Sequence, residues 1–242
     1  MSANNPKKRP VTSRTSTVVA AMVLVLVAVV VIGGVIYQSH RTKPTVQGSG
    51  FAQRSAVSVA DGVVRVGKAD APVTIDLYED FLCPVCDQFE AIYGSELAQS
   101  LDQGKLAVRY HMLDFLNPDS ASKTYSTRAA AAALCVAVDG TGTAYPKFHA
   151  SLFSKDTQPK EGASTDLSDA QLADLAKAAG ASPAAQTCIT SGAKLAEATA
   201  EAQAGTQQLA AAVGADKVGT PTVLKDGKSV DIQNSDWISQ LS

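Results

Sequence analysis

Val73-Thr74-Ile75-Asp76-Leu77-Tyr78, with Cys83-Pro84-Val85-Cys86 beginning five residues later, is the stretch that decides the fold. The first six residues are an apolar run of the kind a buried strand requires. Asp87 to Leu101 then reads as a helix. Two cysteines two residues apart, at a strand-to-helix switch, have the spacing of a dithiol that opens and closes as a disulfide. A helix N-terminus supplies free N–H groups and the positive end of the macrodipole. Cys83 should therefore hold its thiolate more readily than a free cysteine does, and the thiolate is the reactive form.

The pair has other readings. Four cysteines occur in all, so Cys83 and Cys86 can be half of a zinc site, but Cys135 and Cys188 are isolated. Zinc sites built from four cysteines use two close pairs. A purely structural disulfide at this spacing would close a very small loop and stabilise little. Redox chemistry fits best.

Upstream, Lys7, Lys8, Arg9 and Arg14 precede Val18 to Tyr37, twenty residues without a charge. At about 1.5 Å per residue such a helix spans a hydrocarbon core of roughly 30 Å. The run is longer than the core of a cleaved signal peptide and ends in a poor cleavage context, which predicts an uncleaved anchor. The basic flank places residues 1–17 in the cytoplasm and everything after Tyr37 outside. Residues 38–55, with Pro44, Gly48, Ser49 and Gly50, read as a flexible tether. About 18 such residues span roughly 20–25 Å. Residues 56–242 suit one domain with a sizeable core.

An extracytoplasmic location favours disulfides. It permits one redox pair and one structural bridge, Cys135–Cys188, although two buried free thiols are the competing reading. The chain carries 21 basic and 23 acidic residues, and its first 50 hold six basic and no acidic ones. The outer domain is thus acidic, which argues against nucleic-acid partners.

Further elements follow from periodicity. Val63 to Val66 reads as an edge-type strand and Lys105 to Met112 as a strand. Helices are expected over 120–138, 144–154, 168–179 and 194–213, with a short one starting at Ser182-Pro183. Ser168 with Gln171 has the capping-box pattern, and Gly180 stops that helix. Thr222-Val223-Leu224 and Val230-Asp231-Ile232 flank an Asp226-Gly227 hairpin signal. Ser235 to Leu241 reads as a closing helix. A βαβ unit, a helical block over about 119–213 and a terminal hairpin make an α/β plan.

A CxxC after a strand, inserted helices, and Gly219-Thr220-Pro221-Thr222 before a terminal hairpin resemble the thioredoxin fold. The insertion resembles its DsbA-like branch. Tyr78 to Cys86, followed by Phe89-Glu90, is similar to the single-pass, membrane-anchored DsbA-like proteins of actinobacteria. The resemblance implies an α/β thioredoxin fold with an inserted helical subdomain, preceded by one transmembrane helix. It implies a thiol:disulfide oxidoreductase with Cys83 as the exposed nucleophile and Cys86 as the buried resolving cysteine. Pro221 would be a cis-proline facing the dithiol, and Thr220, Pro221, Pro84 and Val85 would meet the substrate. The implied partners are thiols of secreted or cell-envelope proteins and a membrane reoxidant of the DsbB or vitamin K epoxide reductase-like type. No cofactor or metal is implied.

This chain departs from the family in two ways. Many thioredoxin-like proteins place a buried acid six residues before the first cysteine; here that residue is Leu77. Pro84-Val85 also lacks the histidine of the most oxidising DsbA proteins. A reductase or isomerase role is therefore the alternative, and a non-catalytic peptide-binding chaperone module is a third. His111 and His149 read as structural or packing residues, and His40 falls in the tether. The three histidines form no metal pattern in the sequence.

Overall fold

The computed structural model describes residues 55–140 and 142–241. The expected tail, anchor and almost all of the tether lie outside the described residues. Among the described residues no helix is long and apolar enough to cross a membrane.

The core is a six-stranded mixed sheet in the order β1-β2-β4-β3-β5-β6. Its strands are β1 (Val57–Ala60), β2 (Val63–Val66), β3 (Val73–Glu79), β4 (Leu106–Met112), β5 (Thr222–Lys225) and β6 (Lys228–Ser229). Central β3 runs parallel to β4, from Val73 opposite Leu106 to Glu79 opposite Met112. On its other side β3 runs antiparallel to β5, with Tyr78 opposite Thr222. The crossover between β3 and β4 is α1 (Pro84–Asp102). A parallel pair needs such a crossover, and a helix is the usual solution.

Between β4 and β5 the chain makes five helices, α2 (Tyr125–Val138), α3 (Ala144–Leu152), α4 (Asp169–Ala179), α5 (Pro183–Thr190) and α6 (Leu195–Val213). The alanine run Ala129 to Ala133 is wholly buried in α2, because α2 packs against α3, α4, α5 and α6 at once. Small side chains let several helices approach one another closely. At α4 the capping box forms as expected: the Ser168 hydroxyl accepts the Gln171 N–H, and Gly180 ends the helix in the left-handed conformation at φ 98°. The sulfurs of Cys135 and Cys188 are joined in a disulfide that ties α2 to α5.

Three expectations are corrected. Val63–Val66 is no edge strand, because Val57–Ala60 pairs along its outer side. The terminal hairpin is shorter than expected: β6 holds two residues, and beyond them only Val230 N–H still bonds across, to Val223 O at 2.9 Å. The closing segment is helical only over Ser239–Leu241, as a 3₁₀ turn. Its placement is fixed by packing rather than by helix propensity. Trp237, at 2 % exposure, stacks near Phe89 and meets Tyr93 edge-on.

A buried polar bridge fastens α6 to the sheet. His111 on β4 contacts Glu201 of α6 through Nδ1 at 2.7 Å and Asp76 of β3 through Nε2 at 3.0 Å. Arg109 closes a bidentate pair on the same Asp76 at 2.6 and 2.7 Å. Burial works against a charged His111, but Asp76 and Glu201 outweigh it and raise its pKa. Burial likewise works against the Asp76 carboxylate, but the bonds from His111 and Arg109 prevail and hold it at about 2. His111 is thus structural, as its sequence context implied.

The Cys135–Cys188 bridge closes a loop of 53 residues. In the chain-entropy picture a bridge of that span stabilises by up to about 4 kcal/mol. Cys135→Ala/Cys188→Ala is expected to lower the folding stability by roughly 2–4 kcal/mol. Urea unfolding checks this as a fall in the midpoint and in the extrapolated stability, with a larger m-value because the unbridged unfolded chain exposes more surface.

Candidate active site

The site lies where β3 ends and β5 begins. Tyr78 opposite Thr222 places the turn after β3 beside the turn before β5. Cys83 is the N-cap of α1 and Pro84 its first residue, where a missing N–H costs nothing. The turn between Glu79 and Cys83 is held from within. Asp80 Oδ1 accepts the Leu82 N–H at 2.9 Å, its Oδ2 accepts the Leu116 N–H at 3.1 Å, and its carbonyl accepts the Cys83 N–H at 2.9 Å. Burial pushes the Asp80 carboxyl up to about 6, against those bonds.

Cys83 and Cys86 are both free thiols. Cys86 is fully buried, and Cys83 keeps only 6 % of its surface. The expected exposed nucleophile is therefore largely covered, because the Thr220–Pro221 segment lies against it. Cys83 Sγ sits 3.5 Å from the Thr220 carbonyl oxygen, across 137 residues of chain. The Thr220–Pro221 peptide is cis. Exposed Pro84 and Val85 form the outer side of the site, Val85 at 52 % exposure. Beside Pro221 a cavity of about 370 Å³ is lined by Thr222, Val230 and Ile232 among others.

The two thiols are strongly differentiated. A hydrogen bond from Cys86 is the largest influence on Cys83; burial opposes it, and Thr220 with the Cys86 and Val85 N–H groups adds to it, leaving the Cys83 pKa at about 6. The Thr220 hydroxyl is buried and makes no other hydrogen bond, which leaves it available to a thiolate. Cys86 is pushed well above the ordinary thiol range by burial, by its bond to Cys83 and by the nearby Glu79.

Three residues that the sequence reading did not bring to the site lie beneath it. Glu79, at 0 % exposure, meets His149 of α3 at 3.0 Å (Oε2 to Nε2). Glu90, one turn after Cys86 on α1, joins them, and one ligand atom from each of the three lies within 4.8 Å of the others. One carboxylate oxygen each of Glu79 and Glu90 is buried without a partner. Burial raises Glu79 well above its usual value and Glu90 to about 8, while it lowers His149. These groups are the donor set that could hold a cation, although a cation would have to displace protons from two carboxyls that burial keeps neutral. His149 is caged by Phe81, Tyr110, Tyr145 and Phe153. Glu79 thus supplies, four residues before Cys83, the buried acid that Leu77 cannot. Only the placement of α3 against the end of β3 reveals this. Gln158, in the loop after α3, also reaches the site: its Nε2 donates to the carbonyls of Phe81 at 3.1 Å and Cys83 at 3.0 Å.

Cys83 ionisation should be measurable by thiolate absorbance or by alkylation rate against pH, with a midpoint near 6. Folding stability gives a second check. Because the Cys83 pKa is depressed on folding, its contribution is full above the unfolded thiol value and is lost as pH falls through about 6. The stability of the reduced form relative to the disulfide form should therefore rise between about pH 6 and about pH 8.5. The buried carboxyls are common to both forms and largely cancel in that difference.

Comparison with known proteins places this geometry. A family model described as Thioredoxin matches residues 59–241. The serine/threonine-protein kinase PknE of Mycobacterium tuberculosis and of Mycobacterium bovis is 42% identical over 181 residues, which cover 75% of this chain. The chain spans 31% of the length of those kinases. Among solved structures, MdbA, a thiol-disulfide oxidoreductase from Corynebacterium diphtheriae, superposes with a TM-score of 0.70 at 28% identity, over 81% of this chain and 97% of that one. DsbA from Mycobacterium tuberculosis in its reduced form gives 0.58 at 34% identity, over 74% and 94%. The chain belongs to the thioredoxin superfamily, in its branch of DsbA-like protein thiol:disulfide oxidoreductases.

Proposed function

We propose that this protein is an extracytoplasmic, membrane-anchored thiol:disulfide oxidoreductase that donates disulfides to secreted or cell-envelope proteins through Cys83 and Cys86. The observation that carries the reading is the opposed ionisation of the two thiols, Cys83 lowered to about 6 and Cys86 raised. A stabilised Cys83 thiolate stabilises the reduced pair, and a dithiol whose reduced form is stabilised is a better oxidant.

The exchange starts from the Cys83–Cys86 disulfide. A substrate thiolate attacks Cys83 Sγ, the bond to Cys86 breaks, and Cys86 leaves as a thiolate. Burial opposes that charge, so Cys86 takes up a proton, and Glu79 is the buried acid whose charge bears on it. The mixed disulfide on Cys83 lies against Thr220 and Pro221. A second substrate thiolate then attacks the substrate sulfur of that bond and expels Cys83, whose low pKa makes it the better leaving group. Two electrons have passed from the substrate to the Cys83/Cys86 pair. A membrane reoxidant of the DsbB or vitamin K epoxide reductase-like type would remove them. The apolar stretch from Val18 to Tyr37 and the tether after it would hold the domain near such a partner and raise its effective concentration.

The reduction potential decides between donation and the reverse reaction. The full chain in detergent, equilibrated with glutathione buffers and read by alkylation and mass, is expected near or above about −150 mV, close to DsbA. A value near about −270 mV, that of thioredoxin, would overturn disulfide donation in favour of a reductase. Cys83→Ala is expected to abolish turnover of a reduced protein substrate, and retained oxidase activity in that variant would sink the mechanism.

A further inference from the structure

The backbone of the active-site turn can be accounted for group by group. The N–H groups of Leu82 and Cys83 go to Asp80, one to its side chain and one to its carbonyl. The carbonyls of Phe81 and Cys83 go to a single side chain 77 and 75 residues away, the amide of Gln158. A glutamine NH₂ has two donors, and both are used here. The Cys83 carbonyl accepts one further bond, from Asp87 N–H at 3.3 Å, the first turn of α1. Gln158 therefore grips the residue that starts the helix and carries the reactive sulfur.

Gln158 is itself held in place. Its own N–H bonds to Ser154 O at 2.8 Å, and Thr157 donates through its N–H to the same carbonyl at 2.9 Å and through its hydroxyl to Ser151 O. Further along the loop, Gly162 N–H bonds to Asp119 O at 2.7 Å, and Asp166 accepts from Ser122 N–H at 2.6 Å and from Arg128 at 2.7 Å. Just before it, Phe153 packs on Phe81 with ring centroids 5.0 Å apart. The amide is delivered to the turn by a loop fixed on both sides.

Resting on the redox reading of Cys83 and Cys86, we propose that Gln158 is a positioning residue for the exchange reaction: from the inserted helices it locks the carbonyls of Phe81 and Cys83, so that the turn keeps the Val85 and Cys86 N–H groups aimed at the Cys83 sulfur. The reactive thiolate depends on donors that lie within its own turn, and their aim is set by how the Cys83 peptide is rotated. Two bonds from one planar amide fix that rotation. A lysine is a point charge without the fork, and a carboxylate would face two carbonyl oxygens with nothing to donate.

The test uses the full chain in detergent and compares wild type with Gln158→Ala and Gln158→Met. In Gln158→Ala the Cys83 titration midpoint should rise by about one pH unit as the donors lose their aim. The equilibrium constant for oxidising glutathione should fall about tenfold, which corresponds to about 30 mV towards the reducing side. Gln158→Met keeps the length of the side chain but has no N–H donor, so its midpoint and potential should move as in Gln158→Ala. A purely structural strut would lower Tm without moving titration or potential. If both variants keep the wild-type titration and potential, whatever their Tm, the proposal fails. If Gln158→Ala does not fold, Gln158→Met decides alone, and a wild-type midpoint and potential in it overturn the proposal. A wild-type chain that exchanges no disulfide would instead sink the redox reading itself, so the two failures are distinguishable.

Discussion

The antiparallel pairing of β3 with β5 is the interaction on which the rest of the structure depends. Ile75 to Tyr78 lie opposite Lys225 to Thr222, so the end of the strand that feeds the dithiol meets the start of the strand that follows Pro221. The five helices between β4 and β5 must leave and return without disturbing this register. A one-residue slip would exchange the two faces of β5 and withdraw Thr220 from Cys83. The insertion can be large because loop-closure entropy grows only slowly with length, while the pairing it brackets is buried and fully bonded.

The chemistry is built from unequal burial. Cys83 stands at a helix N-terminus with N–H donors and the Thr220 hydroxyl around it, so its charge is supported. Cys86, one helical turn inward, has Glu79 and a closed core around it, so its charge is opposed. In the same core burial raises Glu79 and Glu90, the latter to about 8, and lowers His149, so each is pushed towards its neutral form. A buried carboxyl whose neutral form is favoured holds a proton next to the thiol that burial also keeps from ionising. The opposite arrangement holds α6: His111 lies between Asp76 and Glu201, whose carboxylates raise its pKa against burial, and the two contacts fix the helix to the sheet.

Much of this was legible from the chain. The apolar run at Val73, the CxxC at a strand-to-helix switch, the Ser168–Gln171 cap and the Asp226–Gly227 turn are local patterns, and local patterns report local conformation. They name α1, β3, β4, α4 and the start of the last hairpin within a few residues. The weaker assignments failed where packing overrides propensity. Val57–Ala60 is broken by Ser58 and buries none of its residues fully, so it shows no apolar run, yet it pairs along β2 and removes that strand from the edge. Ser235 to Leu241 has a helical look but is tied down by Trp237 rather than wound into a full helix.

By itself the sequence determined the pair of cysteines, their place at the start of a helix, the Thr220-Pro221 step and the apolar stretch at Val18 to Tyr37, because each is written in consecutive residues. Only the tertiary structure decided which groups surround those cysteines. Glu79 and His149 lie 70 positions apart, Gln158 and Cys83 lie 75 apart, and Thr220 and Cys83 lie 137 apart. Side chains so distant in sequence meet only when the sheet register and the helix packing put them together. The ionisation of a buried thiol depends on those neighbours and on the water they exclude, and periodicity carries information about neither.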